Sequence, residues 1–263
     1  MNLHSLLLAR EADNKPVTVG LIGAGKFGTM FLAQARLTCG LHVVGVADLN
    51  VERARSQLRT ASWEDERFAA ADLGAAVKTR TTHVTDDAQA LIACPEIEVI
   101  VEATGVPGAG IAHALRAIAT GKHIVMVNVE ADALAGPLLA QRAKAAGVVY
   151  SLAWGDQPAL ICEHVDWARA CGFKVIAAGK GTRYEPHYHR SNPDTVWDIL
   201  DKYLQIKDRG SINPKMFNSF IDGTKSGIEM TAVCNATGLS PQSDGLSFPP
   251  ATRFELADVC KPR

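Results

Sequence analysis

The stretch VTVGLIGAGKFGTMFLAQA, residues 17–35, decides how this chain is read. Val17 to Ile22 form an unbroken apolar run, the pattern of a strand buried on both faces. Gly23, Gly25 and Gly28 follow as G-x-G-x-x-G, and Phe27 to Ala35 continue with helical spacing. The first glycine permits a tight turn and the second lets backbone approach a pyrophosphate. The third lets the helix pack on the strand, and the helix N-terminus faces the anion. Lys26 and Phe27 sit inside this turn and join the three glycines as cofactor-binding candidates.

Working outward, LHVVGVADLN (41–50) is a second apolar strand that ends at Asp48, 20 residues after Gly28. An acid at that distance suits the two hydroxyls of an adenosine ribose. A carboxylate repels a 2′-phosphate and so argues for NAD(H). Arg53 and Arg55 lie just beyond and would reverse that preference toward NADP(H), so both cofactors stay open. The pattern then repeats: VKTRTTHVTD, IEVIVEATG, KHIVMVNVEAD and VVYSLAWG read as strands, with PGAGIAHALRAIATG and GPLLAQRAKAAG as helices between them. Regular alternation implies an α/β fold with a doubly wound parallel sheet of the Rossmann type. Ligands of such sheets sit beyond the carboxyl ends of the strands, where Thr104, Gly105, Asn128, Glu130 and Asp132 fall. This nucleotide domain is expected over 1–155, followed by an α+β substrate or catalytic domain over 156–263.

The totals exclude several classes. With 27 Lys+Arg against 28 Asp+Glu there is no basic excess to hold nucleic acid or an acidic membrane surface. Apolar runs are strand-sized, too short to span a bilayer. The six cysteines are scattered without CxxC, which reads as reduced thiols in a cytoplasmic protein. MNLHSLLLAREADNK reads as a small amphipathic helix, not a signal peptide. That helix and an exposed sheet edge point to a homo-oligomer whose other partner is a small-molecule substrate.

The second half carries the chemistry. Asp156 is placed to cap a helix beginning at Pro158. FKVIAAGKGTRY (173–184) reads as a strand whose end bears Lys180, Arg183 and Tyr184, with His187 and His189 following. NSFIDGTKSGIEM (218–230) reads as a helix, with the alternative that Asp222 is the N-cap of a helix starting there. At 100° per residue Phe217, Ile221, Thr224 and Ile228 form its buried face, and Asp222, Lys225 and Glu229 lie together on a flank. A solvated ladder is a weak reason for that flank, because Lys225 precedes Glu229 in the poorer i,i+4 orientation. Carbonyl reduction needs a proton or positive charge where the alkoxide develops. Lys180 and Lys225 are the catalytic candidates, with Glu229 or Asp222 orienting the lysine. Arg183, Lys215 or a histidine would receive a substrate phosphate. Glu130, Tyr184 and Asn218 complete the substrate candidates. A skeletal rearrangement would also call on a divalent cation, magnesium or manganese, with Glu130, Asp132, Asp222 and Glu229 the acids placed to hold it.

GLIGAGKFG, VEATG and VNVEAD resemble the nucleotide domain of homoserine dehydrogenase-like oxidoreductases. GDQPALICEHVDWARACGFKVIAAGKGTRY and PKMFNSFIDGTKSGIEMTAVCNATGL resemble the branch of 1-deoxy-D-xylulose 5-phosphate reductoisomerase-like enzymes. The resemblance implies NADPH-linked reduction in some members and a phosphorylated sugar-like substrate in at least one lineage. Such proteins usually continue into a C-terminal region with a SAF-like module, whereas this sequence ends at FELADVCKPR. A homoserine dehydrogenase proper carries a lysine where VNVEAD has Val129. The expected function is hydride transfer to or from a small polar keto or hydroxy compound, phosphorylated or not. The alternative is an inactive nucleotide-binding sensor or assembly partner.

Overall fold

A computed structural model describes residues 2–203 and 209–261, which divide into two compact units, Met1–Ala153 and Trp154–Arg263. Unit 1 runs α1 (Leu3–Ala12), β1 (Val17–Ile22), α2 (Lys26–Ala35), β2 (Leu41–Ala47), α3 (Val51–Thr60), α4 (Leu73–Thr79), β3 (His83–Thr85), α5 (Ala88–Ala93), β4 (Val99–Glu102), α6 (Pro107–Ala119), β5 (His123–Met126), α7 (Val129–Ala145) and β6 (Tyr150–Leu152). The six strands form one parallel sheet in the order β3-β2-β1-β4-β5-β6. The order reverses direction between β1 and β4, the switch point where such sheets take their ligands.

Two apolar clusters cover the sheet. One joins Leu21, Val43 and Val46 to Leu32 and Ala35 of α2 and to Ala54 and Leu58 of α3. The other joins Val44 and Ile100 to Ile92 of α5, Ala114 and Ala117 of α6 and Leu139 of α7. Burial on both faces explains the unbroken apolar strands and bears out the Rossmann-type reading. Four of the helix starts have a local cause. Asn50, Asp72, Asp87 and Asn128 cap α3, α4, α5 and α7 with their side chains. Gly121, just past α6, takes the left-handed conformation (φ 73°) of a helix stop.

Unit 2 contains α8 (Gln157–Ala170), α9 (Val196–Tyr203), α10 (Pro214–Ile221), α11 (Thr224–Thr237) and α12 (Leu256–Val259). Asp156 caps α8 through Gln157 N–H at 2.9 Å, as expected. Two expectations fail. The strand over 173–184 does not form, and residues 173–185 have no regular structure. A strand needs a neighbour to accept its ladder, and the described residues of unit 2 hold helices, irregular chain and one isolated bridge between Trp154 and Asp156, so its α+β character is not seen among them.

NSFIDGTKSGIEM is likewise not one helix. α10 ends at Ile221, Gly223 turns left-handed (φ 91°), and α11 starts at Thr224. Asp222 drives the break. Its carboxylate takes Asn218 Nδ2–H (2.9 Å) behind and Thr224 N–H (2.8 Å) ahead, so one side chain ties both helix ends. The break rotates the buried face: Ser226, Glu229, Ala232 and Val233 are buried, and Thr224 is exposed.

Candidate functional site

In unit 1 the glycine turn shows which glycines the fold needs and which it does not. A Cβ on Gly23, itself at φ 99°, would lie 2.6 Å from Ala103 O, and one on Gly28 would lie 2.3 Å from Gly23 O. Those two are steric necessities of the strand–turn–helix. Gly25 is different: φ is −77° and a Cβ would meet nothing within 4 Å. The surrounding chain leaves room for a side chain there. Gly25 is also the N-cap of α2 and makes no side-chain cap, so the first N–H groups of that helix are left for an anion. A nucleotide pyrophosphate fits that space. Lys26 opens α2 on the surface, and Phe27 is turned to the core, packed among the β1–α2 apolar residues.

Asp48 stands at the end of β2 with its side chain 3% exposed. Its Oδ2 accepts from Ala24 N–H (2.9 Å) and its Oδ1 from Asn50 N–H (2.9 Å). One Arg53 amino group donates to both oxygens, at 2.7 and 2.8 Å. Burial alone would raise the Asp48 pKa, but Asn50, Arg53 and Ala24 outweigh it and hold the carboxyl below the usual aspartate value. The carboxylate is therefore already satisfied, while the Arg53 side chain stays 55% exposed.

At the end of β4, Thr104 Oγ1 donates to Glu102 Oε1 (2.6 Å), and His113 Nδ1 of α6 lies 3.3 Å from the same oxygen. Glu102 is fully buried, and its Oε2 has no partner among the described residues. Gly105 is exposed at φ 68° with open space around it. Asn128 is a brace: it caps Ala131 N–H (3.1 Å) and donates to Val106 O (3.0 Å). Glu130 lies half-buried in the first turn of α7. Asp132 is buried, accepts the Tyr150 hydroxyl at 2.8 Å, and is packed so that a Cβ on Gly136 would lie 2.5 Å from its Oδ1. Burial pushes its pKa up, only partly offset by Tyr150. It is a packed group, and no cluster of three metal-ligating side chains occurs among the described residues.

In unit 2 the central feature is Lys180. Its Nζ donates to Glu229 of α11 and to Gln157 Oε1, at 2.6 Å, in the first turn of α8. The Lys180 and Glu229 side chains are 15% and 5% exposed. α8 packs on α11, so two helices fix the acceptors while irregular chain brings the ammonium. Glu229 thus leaves the flank expected of it for a buried stripe. Lys225 is half-buried on α11, and Lys215 is exposed on α10.

His189 Nδ1 bonds Asp222 O at 2.8 Å, and Asn218 exchanges bonds with Ser191, its Oδ1 accepting from Ser191 Oγ at 2.7 Å. These contacts hold 186–192 against the α10–α11 turn and use Asn218 structurally. Tyr184 stacks on Phe248 (4.5 Å between centroids) and lies 4.9 Å from His189. Arg183 lies over Tyr203, 4.2 Å from its ring centre, and His187 is exposed beside Glu185. Tyr188 is buried and shares a hydroxyl contact with Tyr203.

Sequence reasoning missed Gln157 and Glu102. Nothing local in the sequence marks Gln157 as a lysine acceptor. Glu102 had a signal, a charge closing an otherwise apolar strand.

Fold and turn together define a dinucleotide-binding oxidoreductase. Residues 19–152 match the family described as homoserine dehydrogenase, NAD binding domain, and residues 155–263 match oxidoreductase DRL, catalytic domain. The chain belongs to the homoserine dehydrogenase/DRL family of NAD(P)-dependent oxidoreductases. No curated protein matches it. A homoserine dehydrogenase from Thiobacillus denitrificans is similar in structure: TM-score 0.57 at 19% identity, covering 86% of this chain and 50% of that one. A DOX-P reductoisomerase solved with magnesium gives TM-score 0.55 at 17% identity, covering 86% and 58%. This chain thus spans about half the length of these structures, and the likeness is one of fold. No helix among the described residues is long and apolar enough to cross a membrane.

Proposed function

We propose that this chain carries out NAD(P)-dependent reduction or oxidation of a small polar, phosphorylated keto or hydroxy compound, in the manner of the conversion of 1-deoxy-D-xylulose 5-phosphate to 2-C-methyl-D-erythritol 4-phosphate. The nicotinamide cofactor, when bound, supplies or accepts the hydride. The open position at Gly25 and the uncapped α2 N-terminus support pyrophosphate binding. The remaining chemistry falls to the chain's own residues.

The observation that carries the reading is the enclosed Lys180, held between Glu229 and Gln157. In reduction, the ammonium donates a proton to the carbonyl oxygen as that oxygen gains charge. The resulting amine stays hydrogen-bonded between the same two acceptors, and solvent restores its proton. In oxidation the same amine takes the hydroxyl proton. Glu229 fixes the direction of the ammonium. Lys225 is a second positive charge on the helix that carries Glu229. Arg183, Lys215 and His187 are cationic or donor groups exposed for a substrate phosphate, and Tyr184 and His189 frame the same loop.

Arg53 favours NADP(H). Asp48 already takes two backbone donors and Arg53, so it offers little to a 2′-hydroxyl, while the exposed guanidinium offers a bidentate partner to a 2′-phosphate. The test is a binding and turnover pair. Lys180→Ala is expected to bind NADPH as the parent does and to lose turnover of 1-deoxy-D-xylulose 5-phosphate by about 10²–10⁴-fold.

A further inference from the structure

We propose that unit 1 has a second ligand site, at the opposite end of its sheet from the glycine turn, which takes a small phosphorylated metabolite through Arg36, Arg67 and Arg80. A cavity of about 290 Å³ opens there. Its walls include the entry ends of the first two strands, Pro16 and Leu41 to Val43, whereas Gly23 follows the exit end of β1. A ligand in it does not compete with the dinucleotide. The volume suits a small organic molecule better than a lone ion.

The charge is one-sided. Arg36, Arg67 and Arg80 line the cavity with His42 and a single acid, Glu11. Arg80 already holds Glu11 at 2.7 Å. Arg67 lies over the Trp63 ring, 5.5 Å from its centre, a contact that leaves its donors for a ligand. Neither Arg36 nor Arg67 is ion-paired with an acid among the described residues.

Arg36 and Arg80 are also the C-cap residues of α2 and α4, and an arginine there is explained in part by the negative helix pole. Each pole amounts to about half a charge. Set against three guanidiniums, two such poles and one acid leave the cavity positive. Arg80 is held at φ 54°, a left-handed conformation uncommon for a non-glycine residue. His42 is a built-in reporter. Its Nε2 lies 2.8 Å from Thr81 O, and burial, with Arg80 and Arg67 pressing the same way, keeps its pKa low against the Thr81 hydrogen bond and, more weakly, Glu11. A phosphate dianion beside these guanidiniums raises it.

The experiment follows the His42 imidazole nitrogens by NMR in the full chain, with and without NADPH. Inorganic phosphate and ribose 5-phosphate are the probes, and ribose is the control. Both phosphates should move the His42 resonance to saturation in the millimolar range and raise its midpoint, with ribose silent and NADPH without effect. Arg36 and Arg67 are exposed, so the double variant Arg36→Ala/Arg67→Ala is expected to fold normally by circular dichroism and to bind at least tenfold more weakly. An unmoved His42 signal in the parent, an equal response to ribose, or saturation of the double variant at the parent's concentration overturns the proposal. The double variant separates phosphate binding in this cavity from binding elsewhere on the chain.

Discussion

Lys180 and Glu229 are 49 residues apart in sequence and form an ion pair that is almost entirely enclosed. The lysine comes from irregular chain and the glutamate from the middle of α11. A pair so placed costs desolvation that surface pairs escape, and it is weak evidence for stability as such. Breaking it is another matter. Glu229→Gln leaves the ammonium with neutral acceptors only and should lower unfolding stability by about 3–5 kcal/mol. Urea denaturation of the parent and variant measures this. A change below about 1 kcal/mol, the value of an exposed pair, would show that the enclosure is not kept in solution.

Gly25 and Gly28 should part company when changed to alanine. Gly25→Ala fits the fold, because its Cβ has open space and its φ is ordinary. Its melting temperature should match the parent, with NADPH affinity reduced at least tenfold by fluorescence titration. Gly28→Ala must push against Gly23 O and should lose about 1–3 kcal/mol or more of stability. A stable Gly28→Ala, or a Gly25→Ala that binds normally, would mean that the turn is misassigned.

On the proposed reading, Arg53 sets the cofactor choice. Arg53→Ala removes the exposed guanidinium and frees two acceptor positions on Asp48. NADPH binding should weaken about tenfold or more, the value of a lost charge-assisted contact, while NADH binding holds or improves. Equal losses for both cofactors would make Arg53 a structural residue only.

Asp132 should make its own contribution to stability fall as pH rises. Its folded pKa lies above the unfolded value, so the native state binds the extra proton. The penalty is absent below the unfolded pKa. It grows from the ordinary aspartate range up through the raised folded value, and stays constant above that. Asp132→Asn still accepts the Tyr150 hydroxyl and cannot ionise. The difference in unfolding free energy between variant and parent should therefore increase with pH across that window. A flat difference would show that Asp132 titrates normally.

Much of unit 1 was legible because its signals are local. Apolar strands at regular spacing, side-chain caps and a glycine turn each act within a few residues, and the sheet follows from their alternation. Asp48 and Arg53 were both visible, but not their mutual contact, which turns an argument for NAD(H) into one for NADP(H). Unit 2 was less legible. The run 173–184 has strand composition and finds no strand partner among the described residues. The helix at 218–230 carried its own break in Asp222-Gly223, yet helical periodicity can be counted across such a break. Lys180 and Glu229 were both singled out as chemical candidates. Their pairing, and the role of Gln157, depend on how α8 packs on α11, which no window of sequence contains.

The most direct measurement is single-turnover NADPH oxidation by Lys180→Ala with 1-deoxy-D-xylulose 5-phosphate, run beside NADPH titration of the same sample. Binding within about twofold of the parent with oxidation reduced by about 10²-fold or more is the predicted result. A variant that oxidises NADPH at the parent's rate, or a parent chain that fails to bind NADPH, would contradict the account.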